Sequence, residues 1–244
     1  MNVSSAVLRF AVYFQRNGFR STLQRAGQVV ERALFSRRVV FLGCEICGQE
    51  QLLSELPACL QVERKRSEAE LSSSDLSAMT NYWNPRLALQ IIRERFDCGA
   101  SLWIIKSEGE LAGYGWTLQG RSVEPCYIRL QPDDVHLFDF LVFPAYRGRN
   151  YNPLLVNFIL QTLTTECRGH AYLEVAQWNY PQLASLRKTP FQRLGSVWML
   201  KVFGYRLPLW ARNEGTGQGF AADAPFGSSP ARPSRLASAH NKMP

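Results

Sequence analysis

The chain has 244 residues, 46% of them hydrophobic, and a net charge of +8. This length and composition allow a substantial buried core. No run of about eighteen uninterrupted apolar residues is present, which argues against a spanning helix, and six scattered cysteines in an ordinary composition argue against a disulfide framework.

The positive charge is concentrated at the two ends of the chain. Residues 1–38 hold seven arginines against one glutamate, and residues 211–244 hold four basic and two acidic residues, so the segment between them has no net charge. A uniformly basic nucleic-acid-binding domain would not show this distribution, so we regard nucleic acid as an unlikely partner. The pattern favours an arm that meets an anionic surface.

The first 37 residues are predicted to form a basic amphipathic helical arm. Apolar side chains recur there at spacings of three and four, while most arginines lie off that stripe; the apolar positions are Phe19, Leu23, Ala26, Val30 and Leu34. Two interpretations stay open: the helix packs on its own domain, or it anchors the protein to an anionic lipid surface. Without a convincing secretory signal, we expect a cytoplasmic protein, with peripheral attachment to the inner membrane face as the membrane hypothesis.

Residues 38–210 are predicted to be one folded domain, and residues 211–244, rich in Gly, Ser, Pro and Ala, a disordered tail. Strands are expected over residues 38–46, 60–66, 102–106, 111–116, 135–143, 171–176 and 192–202, the last continuing toward 207. Helices are expected after a polar cap at residues 72–75, then over 85–96, 153–167 and 181–188. Alternating elements of this kind indicate an α/β (α+β) domain.

Residues 141–153 carry the most informative pattern in the chain. An apolar strand end, Leu141-Val142-Phe143, leads through the basic turn Tyr146-Arg147-Gly148-Arg149 into a helix start at Asn152-Pro153. Unpaired amides of the first helical turn and the helix dipole converge at such a junction. The pattern predicts a site for a pyrophosphate.

This run resembles the acetyl-CoA loop of the GNAT N-acyltransferase superfamily, in which a strand ending Val-x-Pro-x-Tyr is followed by Arg-Gly-x-Gly-x-Gly and a helix. Arg147, Gly148 and Arg149 match, whereas Asn150 and Asn152 stand where the family has its later glycines. Asparagine tolerates the left-handed backbone better than other side chains, so the turn is expected to survive. Pro153 suits the first helical turn.

A second region of the chain resembles the same family. Glu174 to Asn179 supplies a strand followed by Asn, and Lys188-Thr189-Pro190-Phe191 supplies the end of the next helix. The resemblance implies that Asn179 bonds the pantetheine amides, although capping of the helix is an equal alternative. Leu186 stands where the family has a tyrosine acid, and Pro190 replaces a glycine.

The resemblance implies a mixed, largely antiparallel sheet with helices on both faces. It also implies acetyl-CoA as a co-substrate, with no need for a metal. Backbone groups at Leu141 and Val142 would hold the pantetheine and polarise the thioester carbonyl. The remaining donor-binding residues expected from the loop are Arg147, Gly148, Arg149, Asn150, Tyr151 and Asn152.

An attacking ammonium must lose a proton, so the reaction needs a general base. Asp139 and His136 precede the loop on its strand, and Glu174 lies on the neighbouring strand. Because residues three apart point to opposite faces of a regular strand, Asp139 and His136 are not expected to act together. The leading hypothesis is acetyl transfer to a primary amine of a small molecule or amino sugar. The alternative is a catalytically degenerate CoA-binding or membrane-associated interaction module.

Overall fold

The computed structural model describes residues 35–48, 56–82, 85–123, 128–166, 169–202 and 205–212. Almost all of the predicted N-terminal arm and of the C-terminal tail therefore lies outside the described residues. Eight strands form one sheet; they are β1 (Phe35–Glu45), β2 (Leu60–Lys65), β3 (Ser101–Ser107), β4 (Glu110–Gln119), β5 (Val135–Val142), β6 (His170–Ala176), β7 (Gln192–Val202) and β8 (Tyr205–Arg212). Their spatial order is β2-β3-β4-β5-β6-β1-β7-β8.

Neighbouring strands of the sheet are antiparallel except for β5 and β6, which run parallel. Four α-helices accompany the sheet; they are α1 (Ser73–Asn81), α2 (Pro85–Asp97), α3 (Tyr151–Leu163) and α4 (Tyr180–Leu186). The predicted α/β class with a mixed, largely antiparallel sheet is confirmed. The strand structure expected to continue toward 207 is divided between β7 and β8, which pair antiparallel from Gly195 opposite Arg212 to Val202 opposite Tyr205.

The helices divide between the two faces of the sheet, and strands β3 and β4 are buried on both of their sides. Leu155, Ile159 and Leu160 of α3 are fully buried in one core cluster together with Leu137 and Leu173 of the central strands. Met79 of α1 and Ile92 of α2 belong to the other cluster. Side chains of β4 and β5 alternate between these two clusters, as the period of a strand requires.

Two local signals in the sequence produce the conformations expected of them. Ser72 precedes α1, and its hydroxyl accepts a hydrogen bond from the amide of Asp75 at 3.0 Å, which caps the helix. Between β3 and β4, Glu108 and Gly109 both have positive φ, at 54° and 85°. Two successive left-handed residues fit the right-handed twist of a tight hairpin.

A β-bulge interrupts β5 where it passes β4. Tyr114 pairs with Leu141 and Trp116 with Phe138, so Asp139 and Phe140 together face the single residue Gly115. Asp139 takes the left-handed backbone that lets the extra residue fit, with φ at 52°. The bulge shifts the alternation of the strand by one residue in all positions that follow it.

Candidate functional site

The parallel strands β5 and β6 separate at their carboxyl ends. Their pairing runs from Val135 opposite Ala171 to Leu137 opposite Leu173, while β5 continues to Val142 and β6 to Ala176. Beyond Leu137, β5 keeps its partner β4 but has no partner on the β6 side in the described part of the chain. Backbone groups along this edge can therefore bond an extended ligand in the opening.

The loop after β5 has the backbone that the sequence predicted. A short turn at Pro144–Tyr146 is followed by Gly148 with φ at 80° and Asn150 with φ at 61°. The prediction that asparagine takes the left-handed conformation of a glycine is confirmed at Asn150, which is the residue immediately before α3. A side chain at Gly148 would meet nothing within 4 Å, so its backbone conformation, not space, favours glycine there.

Helix α3 begins at the loop without a side chain to cap it. The side chain of Asn150 makes no capping bond, and the first bond at this end runs from the amide of Leu154 to the carbonyl of Asn150 at 3.2 Å. The amides of Tyr151 and Asn152 lie in the first helical turn, where the helix offers them no acceptor, and Pro153 has no N–H. These two amides and the helix dipole favour an anion beside the loop.

The two loop arginines are exposed, and both are already in contact with other groups. The Nε of Arg147 donates to the carbonyl of Val142 at 3.2 Å, and its Nη2 donates to the hydroxyl of Tyr82 at 3.3 Å. The guanidinium of Arg149 lies 5.7 Å from the ring centre of Tyr146. A guanidinium has five N–H donors, so both arginines keep donors for a phosphate.

Three residues predicted to bind the donor have side chains in contact with other protein groups. The hydroxyl of Tyr151 is buried 3.1 Å from the hydroxyl of Ser107. The Nδ2 of Asn152 donates to the Oγ of Ser185 at 2.7 Å, and the Oδ1 of Asn150 accepts from the Nζ of Lys188 at 2.6 Å. Because Tyr151 and Asn152 begin a helix that faces the core, their predicted binding to the donor falls to their backbone amides.

Helix α4 follows β6 and contacts the start of α3 through Ser185. The Oδ1 of Asn179 accepts from the amide of Gln182 at 3.3 Å, which is the capping alternative, although a carboxamide retains an N–H donor for a ligand. Leu186 has no exposed surface and belongs to the core. It cannot supply the proton that the family tyrosine supplies.

His136 is unsuited to the predicted role of general base. Its residue is 1% exposed, and its Nδ1 accepts a bond from the amide of Val123 at 3.2 Å, which places the proton on the buried Nε2. Burial lowers the pKa of His136 to about 4. A base that takes a proton from an ammonium needs a lone pair that the amine can reach.

Asp139 and His136 lie on the same side of the sheet, contrary to the expectation for a regular strand. The Oδ2 of Asp139 accepts from the Nη1 of Arg95 at 2.5 Å, and this guanidinium lies over the rings of Trp116 and Phe138. The ring of His136 stacks on Phe138 at 5.2 Å between ring centres. The bulge turns the Asp139 side chain toward α2.

Glu174 remains a second candidate base. It is half-buried on β6, one residue beyond the last residue paired with β5. The pairing of His136 with Tyr172 places Glu174 on the same face as His136, because residues two apart on a strand share a face. Its carboxylate therefore belongs to the side of the opening that faces α1 and α2.

Four residues that contact the predicted site were missed in the sequence. Each of them bonds a predicted site residue that is 33 to 65 positions away in the sequence. The pairs are Tyr82 with Arg147, Arg95 with Asp139, Ser185 with Asn152, and Lys188 with Asn150. No local pattern marks the first three. Lys188 lies in the second family motif, which was the only signal available for it.

Comparison with known proteins identifies the family. Residues 68–188 match the family model described as the acetyltransferase (GNAT) family. This segment contains β3 to β6, the basic loop and all four helices, and the chain therefore carries a GNAT domain. A search of curated proteins finds no match.

Three solved structures similar to this chain are 11–15% identical to it. A putative GNAT-family acetyltransferase from Novosphingobium aromaticivorans is 12% identical, with a TM-score of 0.43, over 66% of this chain and 61% of that one. A GNAT-family acetyltransferase from Colwellia psychrerythraea is 11% identical, with a TM-score of 0.46, over 69% and 58%. This chain thus spans less than two thirds of the length of either solved protein.

A third structure is AAC(6')-Iy in complex with the bisubstrate analogue CoA-S-monomethyl-acetylneamine. It is 15% identical to this chain, with a TM-score of 0.39, over 52% of this chain and 87% of that one. In the described part of this chain, no helix is long and apolar enough to cross a membrane. The same part contains no group of three or more His, Cys, Asp or Glu side chains suited to a metal ion.

Proposed function

We propose that this protein is an acyl-CoA-dependent N-acyltransferase that moves an acetyl group from acetyl-CoA to a primary amine. The observation that carries the proposal is the opening between β5 and β6, which ends at the basic loop and the start of α3. A thioester with a long amide-containing arm and a diphosphate fits this combination of strand edge and anion site. The family match supports the same reaction class.

The site residues have two roles in such a transfer: some bind the donor, and others remove the proton from the amine. The backbone N–H of Val142 lies at the edge of the opening and is suited to bond the pantetheine or the thioester oxygen, whereas Leu141 turns its N–H and carbonyl toward β4. Amides of the α3 start, with Arg147 and Arg149, face the diphosphate. Holding the donor in this way converts the attack into a step within one complex.

In the chemical step, the amine nitrogen forms a bond to the acyl carbon while the carbon–sulfur bond breaks. The nitrogen gives up a proton, and the departing thiolate takes one up. We propose Asp139 as the group that accepts the amine proton, directly or through one water. Arg95 engages one carboxylate oxygen and leaves the other for this role.

The acceptor belongs to the class of small-molecule primary amines, including amino sugars. Support comes from the side of the opening that faces α1 and α2, where Asp139 and Glu174 place two carboxylates and one of them is already paired with Arg95. Two carboxylates with one arginine leave a net negative charge that attracts an ammonium group. This is the side from which an amine would reach the thioester.

Two measurements test the proposal. Calorimetric titration with acetyl-CoA tests the donor site, and a panel of amines tests turnover by mass-spectrometric detection of the acetylated product. Mass detection is preferable to a thiol reagent because Cys47 and Cys59 are exposed, whereas burial raises the pKa of the Cys44 thiol to about 12. Folded protein that does not bind acetyl-CoA would refute the proposal.

One observation favours the alternative of a CoA-binding module without turnover. Leu186 occupies the position of the family's tyrosine acid and is buried, so no side chain at that position can protonate the leaving thiolate. Acetyl-CoA binding without product from any amine in the panel would support the module. Product formation would reject it.

For residues 1–37, we propose a peripheral contact of a cytoplasmic protein with an anionic membrane. The support is the charge pattern of the arm, with its arginines on one side of an apolar stripe. Co-sedimentation with phosphatidylserine vesicles is expected at low salt and is expected to fall when residues 1–34 are deleted. Equal binding of the full and shortened chains would refute a role for the arm.

A further inference from the structure

Lys188 is held at the start of helix α3 by a residue that replaces a family glycine. Its Nζ donates to the Oδ1 of Asn150 at 2.6 Å, and Asn150 immediately precedes α3. An ammonium group has three donors, and a neutral carboxamide uses one of them. The ammonium therefore lies beside the same anion site as the unpaired amides of Tyr151 and Asn152.

The positive charge of Lys188 is not neutralised by a carboxylate in the part of the chain that the structure describes. Its side chain is exposed, and no ion pair involves it among the described residues. Residues 144–152 contain two arginines and no acidic residue. An anion that enters this region therefore meets several cations without a competing negative charge.

The two asparagines of the loop tie it to α4. Asn152 bonds Ser185 and Asn150 bonds Lys188, so both positions where the family has glycine reach the end of the same helix. Glycine would supply the loop backbone but neither contact. The left-handed conformation of Asn150 also explains why its side chain bonds Lys188 and does not cap α3.

We propose that Lys188 binds the diphosphate of the CoA donor, and that Asn150 is the residue that positions it. The inference rests on the acyl-CoA-dependent function proposed above and adds a ligand contact from the residues that follow α4. Arg147 is partly engaged by the carbonyl of Val142 and the hydroxyl of Tyr82. Lys188 thus supplies the ammonium that lies at the helix start itself.

The test is calorimetric titration of the full chain with acetyl-CoA in the variants Lys188→Met, Arg187→Met and Asn150→Gly. Arg187 is the matched control, because it is the adjacent exposed cation and lies at the same helix end. Lys188→Met is expected to weaken affinity roughly tenfold, and Arg187→Met less than twofold. Asn150→Gly preserves the left-handed turn and is expected to cost roughly threefold.

The combination of variants distinguishes positioning from a general effect of charge. If Asn150 acts through Lys188, Asn150→Gly has no further effect on affinity in the Lys188→Met background. Additive losses would overturn the positioning role. A variant whose unfolding temperature equals that of the wild-type protein is correctly folded. A folding defect is then excluded as the cause of its lower affinity.

Dephospho-CoA identifies which phosphate Lys188 contacts. If Lys188 contacts the diphosphate, Lys188→Met should lose the same tenfold in affinity for dephospho-CoA as for CoA. If the variant loses no affinity for dephospho-CoA, the contact is with the 3′-phosphate and the assignment to the diphosphate is overturned. Wild-type affinity in Lys188→Met would refute the inference alone. Absence of acetyl-CoA binding in the wild-type protein would refute the proposed function and the inference together.

Discussion

Substitution of Asp139 separates the role of its carboxylate from the role of its backbone. The residue combines an ion pair to Arg95 with a left-handed φ of 52° in the bulge of β5. Asparagine keeps the shape and tolerance of this backbone but loses the charge. Glycine also adopts the left-handed backbone readily but has no side chain. Alanine has no carboxylate and tolerates the left-handed backbone poorly.

The structure gives the expected order of stability. The side chains of the Arg95–Asp139 pair are 14% and 34% exposed, and a partly exposed pair contributes up to about 1 kcal/mol. A left-handed backbone costs most side chains about 1–2 kcal/mol. Asp139→Asn should therefore lose about 1 kcal/mol, Asp139→Gly close to nothing, and Asp139→Ala about 2–3 kcal/mol.

Activity should follow a different order from stability. If the carboxylate accepts the amine proton, all three variants should lose about a hundredfold or more in kcat, while acetyl-CoA affinity changes little. Urea unfolding gives the stabilities, product formation at saturating acetyl-CoA gives kcat, and calorimetry gives donor affinity. Near-wild-type kcat in Asp139→Gly or Asp139→Asn would refute the assignment of Asp139 as the base.

Three further predictions concern pH, packing and the loop. Burial lowers the pKa of His136 to about 4 in the folded protein. Below about pH 6.5 the unfolded chain therefore binds a proton that the folded chain does not bind. About 3 kcal/mol of stability should be lost between pH 6.5 and 4. In urea unfolding over this pH range, His136→Phe should not show this loss of stability. If its free energy of unfolding fell with pH as steeply as that of the wild-type protein, the burial of His136 would be contradicted. A Cβ at Gly113 would lie 2.6 Å from the carbonyl oxygen of Leu141. Gly113→Ala should therefore destabilise the protein by about 1–3 kcal/mol and weaken acetyl-CoA binding. A Cβ at Gly109 meets nothing within 4 Å, so Gly109→Ala should leave acetyl-CoA binding unchanged. Arg147→Ala should weaken acetyl-CoA binding in calorimetry, and unchanged affinity would remove Arg147 from the phosphate site.

The sequence by itself determined the features that depend on a few neighbouring residues. The cap at Ser72, the hairpin turn at Glu108 and Gly109, and the left-handed Asn150 all follow from local conformational preference. The order of strands and helices and the strand–loop–helix junction followed from hydrophobic pattern and family motif. These features were predicted because their causes lie within a few residues of one another.

Only the tertiary structure decided which way the functional side chains point. A bulge that no local pattern announced directed Asp139 to the side of Arg95, 44 residues away. Helix packing directed Tyr151 into the core, and the approach of α4 brought Lys188 to Asn150 over 38 residues. Side-chain direction depends on strand register and on the packing of distant elements, and these are properties of the assembled fold.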